Sequence, residues 1–400
     1  MNLHPMATRK LKKHSSSTYS ENKIKLIPGG RKYFETARDM INKAKHSIHF
    51  QTYIYEADET GQMIADCLTE AAQRGVVVYL LVDGYASQSL PHPFIRSLKE
   101  AGIHFRFFEP LFKSRHFYFG RRLHNKVVVT DSACTLIGGV NITNRYNDLP
   151  GQPAWLDFAL YTEGAVAKDV CAICWNNWKG FARKKEKNPC IDEAPVFNFD
   201  KSETSLVRVR INDWVRNKME ISKSYREMFK NATSHIIILS SYALPGIIFR
   251  KSLEKAAKRG VQVKMIITGE SDVMLVKNAE RYWYDWLMRN NILIYEYTKN
   301  VLHGKMAICD DAMMTIGSYN VNDLSAYASV ELNMDVKDPE FIAAAEKVLQ
   351  KIMDNDCVLI TKDSMRVRVN VFRQFVQWLS YNLIRLAFNV STFYYRQRKN

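Results

Sequence analysis

A chain of 400 residues with 46% apolar side chains can bury a large core and is expected to form about two domains. Its net charge of +16 calls for an anionic partner, with nucleic acid and acidic membrane as the two obvious choices. No apolar run reaches the roughly 18 residues that a conventional membrane span requires, so none is expected.

In chain order, residues 1–21 read as a disordered basic tail. Arg9, Lys10, Lys12 and Lys13 are followed by no apolar stretch of the kind a secretory signal needs. Residues 22–181 form a first domain. Within it, "HSIHFQTYIYEAD" (46–58) is a β-rich run ending at Tyr53 and a turn, and "LTEAAQRGVVVYLLVDG" (68–84) is a helix end, an Arg-Gly stop and a buried strand. A helix, "FIRSLKEAG", and a strand, "IHFRFFE", come next, then a basic and aromatic insertion at 110–122. Cys171 and Cys174 form a lone C-x-x-C beside Trp175 and Trp178 in a helical stretch, with no second pair at zinc spacing, so they read as structural. The seven scattered cysteines fit a reducing compartment.

After a linker at 182–203, residues 204–363 repeat the plan. "SHIIILSSYALPG" (234–246) carries Tyr242 where the first half has Tyr53, and "LEKAAKRGVQVKMIITG" (253–269) repeats the Arg-Gly stop and strand. "RYWYDWLMRNN" and "ILIYEYT" supply the next helix and strand. Strands alternating with helices make the fold class α/β.

The repeat culminates in "HNKVVVTDSACTLIGGVN" (124–141) and "HGKMAICDDAMMTIGSYN" (303–320), which both read H-x-K-x4-D-x6-G-[GS]-x-N. Residues i and i+2 of a strand share a face, so His124 projects with Lys126, and His303 with Lys305. Asp131 and Asp310 open tight turns, for which a capping part is expected, and the Gly-Gly or Gly-Ser pair suits close backbone approach to a ligand. Asn141 and Asn320 then return alongside the His/Lys face. Face to face, the two copies make a pocket for a compact tetrahedral anion, and a phosphate diester fits. One neutral imidazole can attack phosphorus, while the other gives a proton to the leaving oxygen and later takes one from the acceptor. The two Lys and two Asn would bind the non-bridging oxygens. Each imidazole needs an acceptor on its other nitrogen, and Asp157 and Glu331 are the candidates. No metal or other cofactor is called for.

These residues resemble the phospholipase D superfamily, whose signature is the duplicated His-x-Lys-x4-Asp. The resemblance runs from "NKIKLIPGG" (22–30) to "VELNMDVKD" (330–338), and is strongest to bacterial cardiolipin synthases that lack N-terminal transmembrane helices. It implies two α/β/α sandwich lobes related by a pseudo-twofold, one active site at their interface, and a phosphohistidine intermediate. His124, Lys126, Asp131, His303, Lys305 and Asp310 then hold the catalytic motif positions. It further implies phosphatidyl transfer from one phospholipid to another, with phosphatidylglycerol as the usual donor and acceptor and glycerol released.

The superfamily also contains hydrolytic phospholipases and nucleases, so the fold leaves the substrate open. The segment 364–400 favours lipid. Phe372, Phe375, Val376, Leu379, Leu383, Leu386 and Val390 form one apolar helical stripe, and no acidic residue follows Asp363. Such a segment suits an interfacial helix on anionic phospholipid, or a helix packed on the core. The expectation is a peripheral enzyme of the bacterial cell membrane, on its cytoplasmic face, with phospholipid rather than nucleic acid as its partner.

Overall fold

The computed structural model describes residues 18–110, 121–180, 189–190, 195, 197–271, 273–322, 325–326, 328–363 and 371–391. The expected basic tail before residue 18, the insertion at 111–120 and most of the linker lie outside them.

The first half runs β1 (Ser20–Pro28), α1 (Arg31–Lys43), β2 (Ser47–Thr52), α2 (Glu59–Gln73), β3 (Val77–Asp83), α3 (His92–Glu100), β4 (His104–Phe108), β5 (Arg122–Leu123), β6 (Lys126–Thr130), β7 (Cys134–Gly138), β8 (Phe158–Gly164) and α4 (Val166–Lys179). The second half runs β9 (Ser205–Asp213), β10 (Lys218–Met219), α5 (Glu220–Asn231), β11 (His235–Ser240), α6 (Ile247–Lys258), β12 (Gln262–Thr268), α7 (Met274–Arg281), α8 (Tyr284–Arg289), β13 (Ile292–Tyr297), β14 (Lys305–Cys309), β15 (Met313–Gly317), β16 (Ser329–Lys337), α9 (Pro339–Asp356), β17 (Cys357–Ile360) and α10 (Val371–Ser391).

Strand pairing proceeds β4-β3-β2-β6-β7-β8-β1 in the first lobe and β13-β12-β11-β14-β15-β16-β9 in the second, with β17 beyond β13. The two orders are the same. They meet where β1 pairs antiparallel with β9, Ser20 opposite Val207, as a pseudo-twofold requires. Helices cover both faces of each sheet; β3 is accordingly apolar on both sides except at Asp83, while β12 puts Val263, Met265 and Ile267 on one side and Gln262, Lys264, Ile266 and Thr268 on the other. α1, α2 and α3 bury Tyr33, Phe34, Ile64 and Leu98 on one face of the first sheet. α5, α6 and α8 bury Tyr225, Leu253 and Leu287 on the second. On the other faces α4 and α9 contribute to one core that both lobes share, from Val127 and Leu160 to Ile308 and Val336.

The Arg-Gly stops behave as their sequence implies. Gly75 and Gly260 take φ of 89° and 90°, open to glycine at no steric cost. The Arg74 guanidinium donates to Ile41 O at 2.9 Å, and that of Arg259 to Phe229 O at 2.7 Å, so each ties its helix to the end of the preceding one.

The cysteines are a correction. A disulfide joins Cys171 to Cys190, with Cα atoms 5.8 Å apart, while Cys174 remains a buried thiol. The cause is tertiary. α4 turns Cys171 into the shared core, and the chain beyond it returns Cys190 to the same core, a pairing that sequence spacing does not reveal.

Candidate active site

Each motif folds as the antiparallel hairpin that its sequence suggests, β6 with β7 and β14 with β15. What precedes each histidine is held by the other lobe. β5 runs parallel to the start of β16, and His124 N donates to Val330 O at 3.0 Å. In the mirror arrangement, His303 N donates to Leu156 O at 2.7 Å.

The side chains cross in the same way. His124 Nδ1 lies 2.9 Å from Glu331 Oε2, and His303 Nδ1 lies 2.8 Å from Asp157 Oδ2. With each carboxylate ionised, Nδ1–H is the donor and the lone pair is left on Nε2. Glu331 also accepts from the hydroxyls of Ser318 and Ser329, at 2.5 and 2.7 Å, and Asp157 Oδ1 accepts from Phe158 N at 2.7 Å. Both carboxylates therefore serve the histidine of the opposite lobe.

The Gly-Gly and Gly-Ser difference follows from this. A Cβ on Gly139 would come within 2.5 Å of Asp157 Oδ1, whereas Ser318, its counterpart, bonds the longer Glu331. The close approach expected toward a ligand is thus toward a carboxylate. Gly138 and Gly317 are likewise pressed on the neighbouring strand, at Phe158 O and Leu332 O.

Lys126 Nζ donates to His124 O at 2.6 Å and stands 5.1 Å from the Tyr53 ring centre. Lys305 Nζ donates to His303 O and lies 3.0 Å from His303 Nδ1. Burial lowers the pKa of Lys126 to about 7, with Glu331 opposing and Lys305 reinforcing the effect. Burial also lowers His303, to about 3, helped by Lys305 and resisted by Asp157. His124 moves down for the same main reason, against the pull of Glu331. Burial would raise Glu331, but His124, Lys126 and the Ser318 hydroxyl outweigh it and hold the carboxyl below its usual range. An entering anion would oppose these shifts and favour the protonated lysine and imidazoles.

The remaining motif residues go elsewhere. Asp131 accepts from the backbone N–H groups of Lys45, His46 and Ser47 at 2.8–2.9 Å, and Asp310 from those of Thr233, Ser234 and His235 at 2.8–3.0 Å. Both stand at the end of the motif strand away from the histidines, with φ of 53° and 50°. Asn141 spends both ends of its amide on the scaffold, accepting from Ile54 N at 3.1 Å and donating to Tyr146 OH at 2.9 Å. Asn320 Oδ1 accepts from Ser241 Oγ at 2.7 Å.

Three aromatic residues complete the site without having been assigned a part from the sequence. Tyr53 packs edge-on against His124 with ring centres 4.9 Å apart, Tyr146 does so against His303 at 5.0 Å, and Trp155 lies 6.2 Å from His303. Tyr146 and Trp155 sit in an irregular stretch between β7 and β8, where only the aromatic content of "NRYNDLPGQPAW" could have singled them out.

The family described as "Cardiolipin synthase, PLD-like domain" matches residues 37–151 and 225–353, once for each lobe. The chain belongs to the cardiolipin synthase family of phospholipase D-like phosphatidyltransferases. It is 34% identical over 348 residues to cardiolipin synthase B of Escherichia coli strain K12, covering 84% of this chain and 81% of that one. It is 26% identical to a probable cardiolipin synthase of Bacillus subtilis, covering 84% of this chain and 66% of that one. Among solved structures, phosphatidylserine synthase of Haemophilus influenzae Rd KW20 superposes with a TM-score of 0.70 at 14% identity, over 94% of this chain and 97% of that one. Polyphosphate kinase of Porphyromonas gingivalis gives 0.59 at 14% identity, over 92% of this chain and 53% of that one. At such identity these two share the fold alone. Among the described residues, no helix is long and apolar enough to cross a membrane.

Proposed function

We propose that the chain is a cardiolipin synthase that transfers a phosphatidyl group between two phosphatidylglycerol molecules through a phosphohistidine. One observation carries the reading: two imidazoles, each held by the carboxylate of the opposite lobe, share one site with two buried lysines. In the first step Nε2 of one histidine attacks the donor phosphorus. The bond from phosphorus to the glycerol oxygen breaks, and the second histidine supplies the proton that glycerol carries away. In the second step that histidine takes the proton of the acceptor's glycerol hydroxyl. The oxygen attacks phosphorus, the P–N bond breaks, and cardiolipin leaves with the first histidine neutral again. Lys126 and Lys305 neutralise charge on the non-bridging oxygens. Asp157 and Glu331 orient the rings and stabilise whichever imidazolium forms.

Asp131, Asp310, Asn141 and Asn320 serve this chemistry through the scaffold. The aspartates fix the far ends of the motif strands, and the asparagines tie the loops that carry Tyr53 and Tyr242. The protein works as a peripheral enzyme on a bacterial membrane rich in anionic lipid.

The test supplies vesicles of phosphatidylglycerol alone and resolves the products by mass. Cardiolipin with an equal amount of free glycerol is expected. Phosphatidic acid as the dominant product would make water the acceptor and overturn the transferase reading.

A further inference from the structure

Five residues of the α10 stripe do not pack on the protein. The helix docks through its other side. Tyr381 stacks on Tyr282 with ring centres 4.9 Å apart and meets Trp283 edge-on, while Ile384 is buried against Leu244, Ala279 and Trp283. Phe372, Phe375, Leu379, Leu383 and Leu386 are left exposed, Phe372 at 72%. At about 100° per residue these five fall within roughly 80° of arc, well away from the docked residues.

They are not alone. The first turn of α6 exposes Ile247 (60%) and Ile248, and the start of α7 exposes Val273, Met274 (64%) and Leu275. Both segments leave the ends of motif-lobe strands β11 and β12, beside the site. The corresponding first turn of α2 in the first lobe is Glu59–Thr60, polar and partly buried, so among the described residues the first lobe does not repeat the α6 part of this surface.

We propose that α10, the start of α7 and the first turn of α6 form one membrane-seating face that inserts into an anionic leaflet and aims the active-site cleft at its headgroups. The inference rests on the lipid-substrate reading above. Charge selects the occupant. Arg373 and Arg385 are exposed on α10, Lys251 is exposed on α6, and no acidic residue occurs in the sequence after Asp363, a pattern that fits anionic lipid. The face is also tied rigidly to the site. Beneath it, buried Lys277 donates to Thr268 O and to Glu280 Oε2 at 2.8 Å. Glu280 Oε1 accepts from Ala243 N at 2.9 Å, and the hydroxyl of Ser241 in the same loop bonds Asn320. Thr268 Oγ1 accepts from Leu302 N at 3.2 Å, one residue before His303. Insertion of the face therefore fixes the height of His303 above the leaflet.

The experiment is co-sedimentation of the full chain with phosphatidylcholine vesicles, with and without phosphatidylglycerol. Phe375→Asp combined with Leu383→Asp is expected to weaken binding to the anionic vesicles on the order of a hundredfold, since each buried apolar side chain is worth about tenfold or more. Met274→Asp, on a separate segment, is expected to weaken it about tenfold. Val358→Asp, which adds the same charge to an exposed apolar position on β17, is expected to bind like the parent. Unchanged vesicle binding by the double variant overturns the proposal. So does a double variant that changes from a dimer to a monomer without lipid and keeps its vesicle affinity, since a second copy would then cover the face. His124→Ala separates the two readings. It is expected to sediment like the parent while losing transfer, so failure of the chemistry and failure of the seating face register in different assays.

Discussion

Replacing Lys126 with methionine is expected to stabilise the empty protein while removing its transfer activity. Lys126 is 1% exposed, and burial holds its pKa at about 7 against an ordinary 10.5. The folded protein thus binds this proton more weakly than the unfolded chain does. Between those two values the unfolded state carries more protons, so the charged lysine opposes folding fully below about pH 7, and the cost fades as the pH rises toward 10.5. At about 1.4 kcal/mol per pK unit the full cost is on the order of 5 kcal/mol. Methionine keeps the volume and has no charge to desolvate. It forfeits the bond from Nζ to His124 O, worth about 1 kcal/mol, and the contact with Tyr53. A net gain of about 2–4 kcal/mol is expected at neutral pH, read as a higher urea midpoint at unchanged slope. The gain should shrink steadily when the titration is repeated up to about pH 10. A midpoint that falls, or a difference that ignores pH, would refute the claim that Lys126 is held at a cost for the sake of an anion.

His124→Ala and His303→Ala should each lower transfer by about 10⁴-fold or more, and the double variant should be little worse than either, because nucleophile and proton carrier act as a unit. Substantial activity in one single variant, measured with phosphatidylglycerol vesicles, contradicts a shared site. Asp310→Ala should lower stability by about 2–4 kcal/mol through loss of its backbone N–H partners. Those bonds hold the Asp310 carboxyl below its usual range despite the opposing effect of burial, so the stabilisation is present at neutral pH and disappears as acid protonates it. An equal urea midpoint for parent and variant at neutral pH would remove the capping role.

Much of this architecture is written locally. A helix end, an Arg-Gly stop and a largely buried strand repeat at 68–84 and 253–269 because each is set by near neighbours, and the motif hairpins follow from alternation and turn residues. The carboxylate partners were visible as candidates but not as a pairing. Asp157 follows the first motif and Glu331 the second, yet each serves the histidine of the other half, which only the meeting of the lobes decides. Asn141 reads as a ligand group from its place in the motif, and its engagement by Ile54, 87 residues away, and by Tyr146 of its own loop is not marked in the sequence. Five of the seven stripe residues on α10 prove exposed, whereas which side faces solvent was not legible, because Tyr381 and Ile384 offer a second face of similar apolarity.

The exchange of carboxylates also says why the fold is duplicated. Either lobe alone would leave Nδ1 of His124 or His303 without its carboxylate acceptor, and would cost the His303 N–H its bond to Leu156 O and the His124 N–H its bond to Val330 O, with Arg122 O of its own lobe still in place. Carboxylate and carbonyl alike come from the strand that starts or precedes β16 or β8 in the other lobe. A shared core on the α4 and α9 faces then holds the lobes together firmly enough to keep two buried lysines near two buried imidazoles. That arrangement is costly when empty, chiefly because burial strips the charged groups of water and secondarily through like charge, as the lowered pKa values of Lys126 and His303 record. A diester relieves it. On the proposed mechanism the binding energy of the donor's single negative charge is released at the phosphorus that Nε2 attacks.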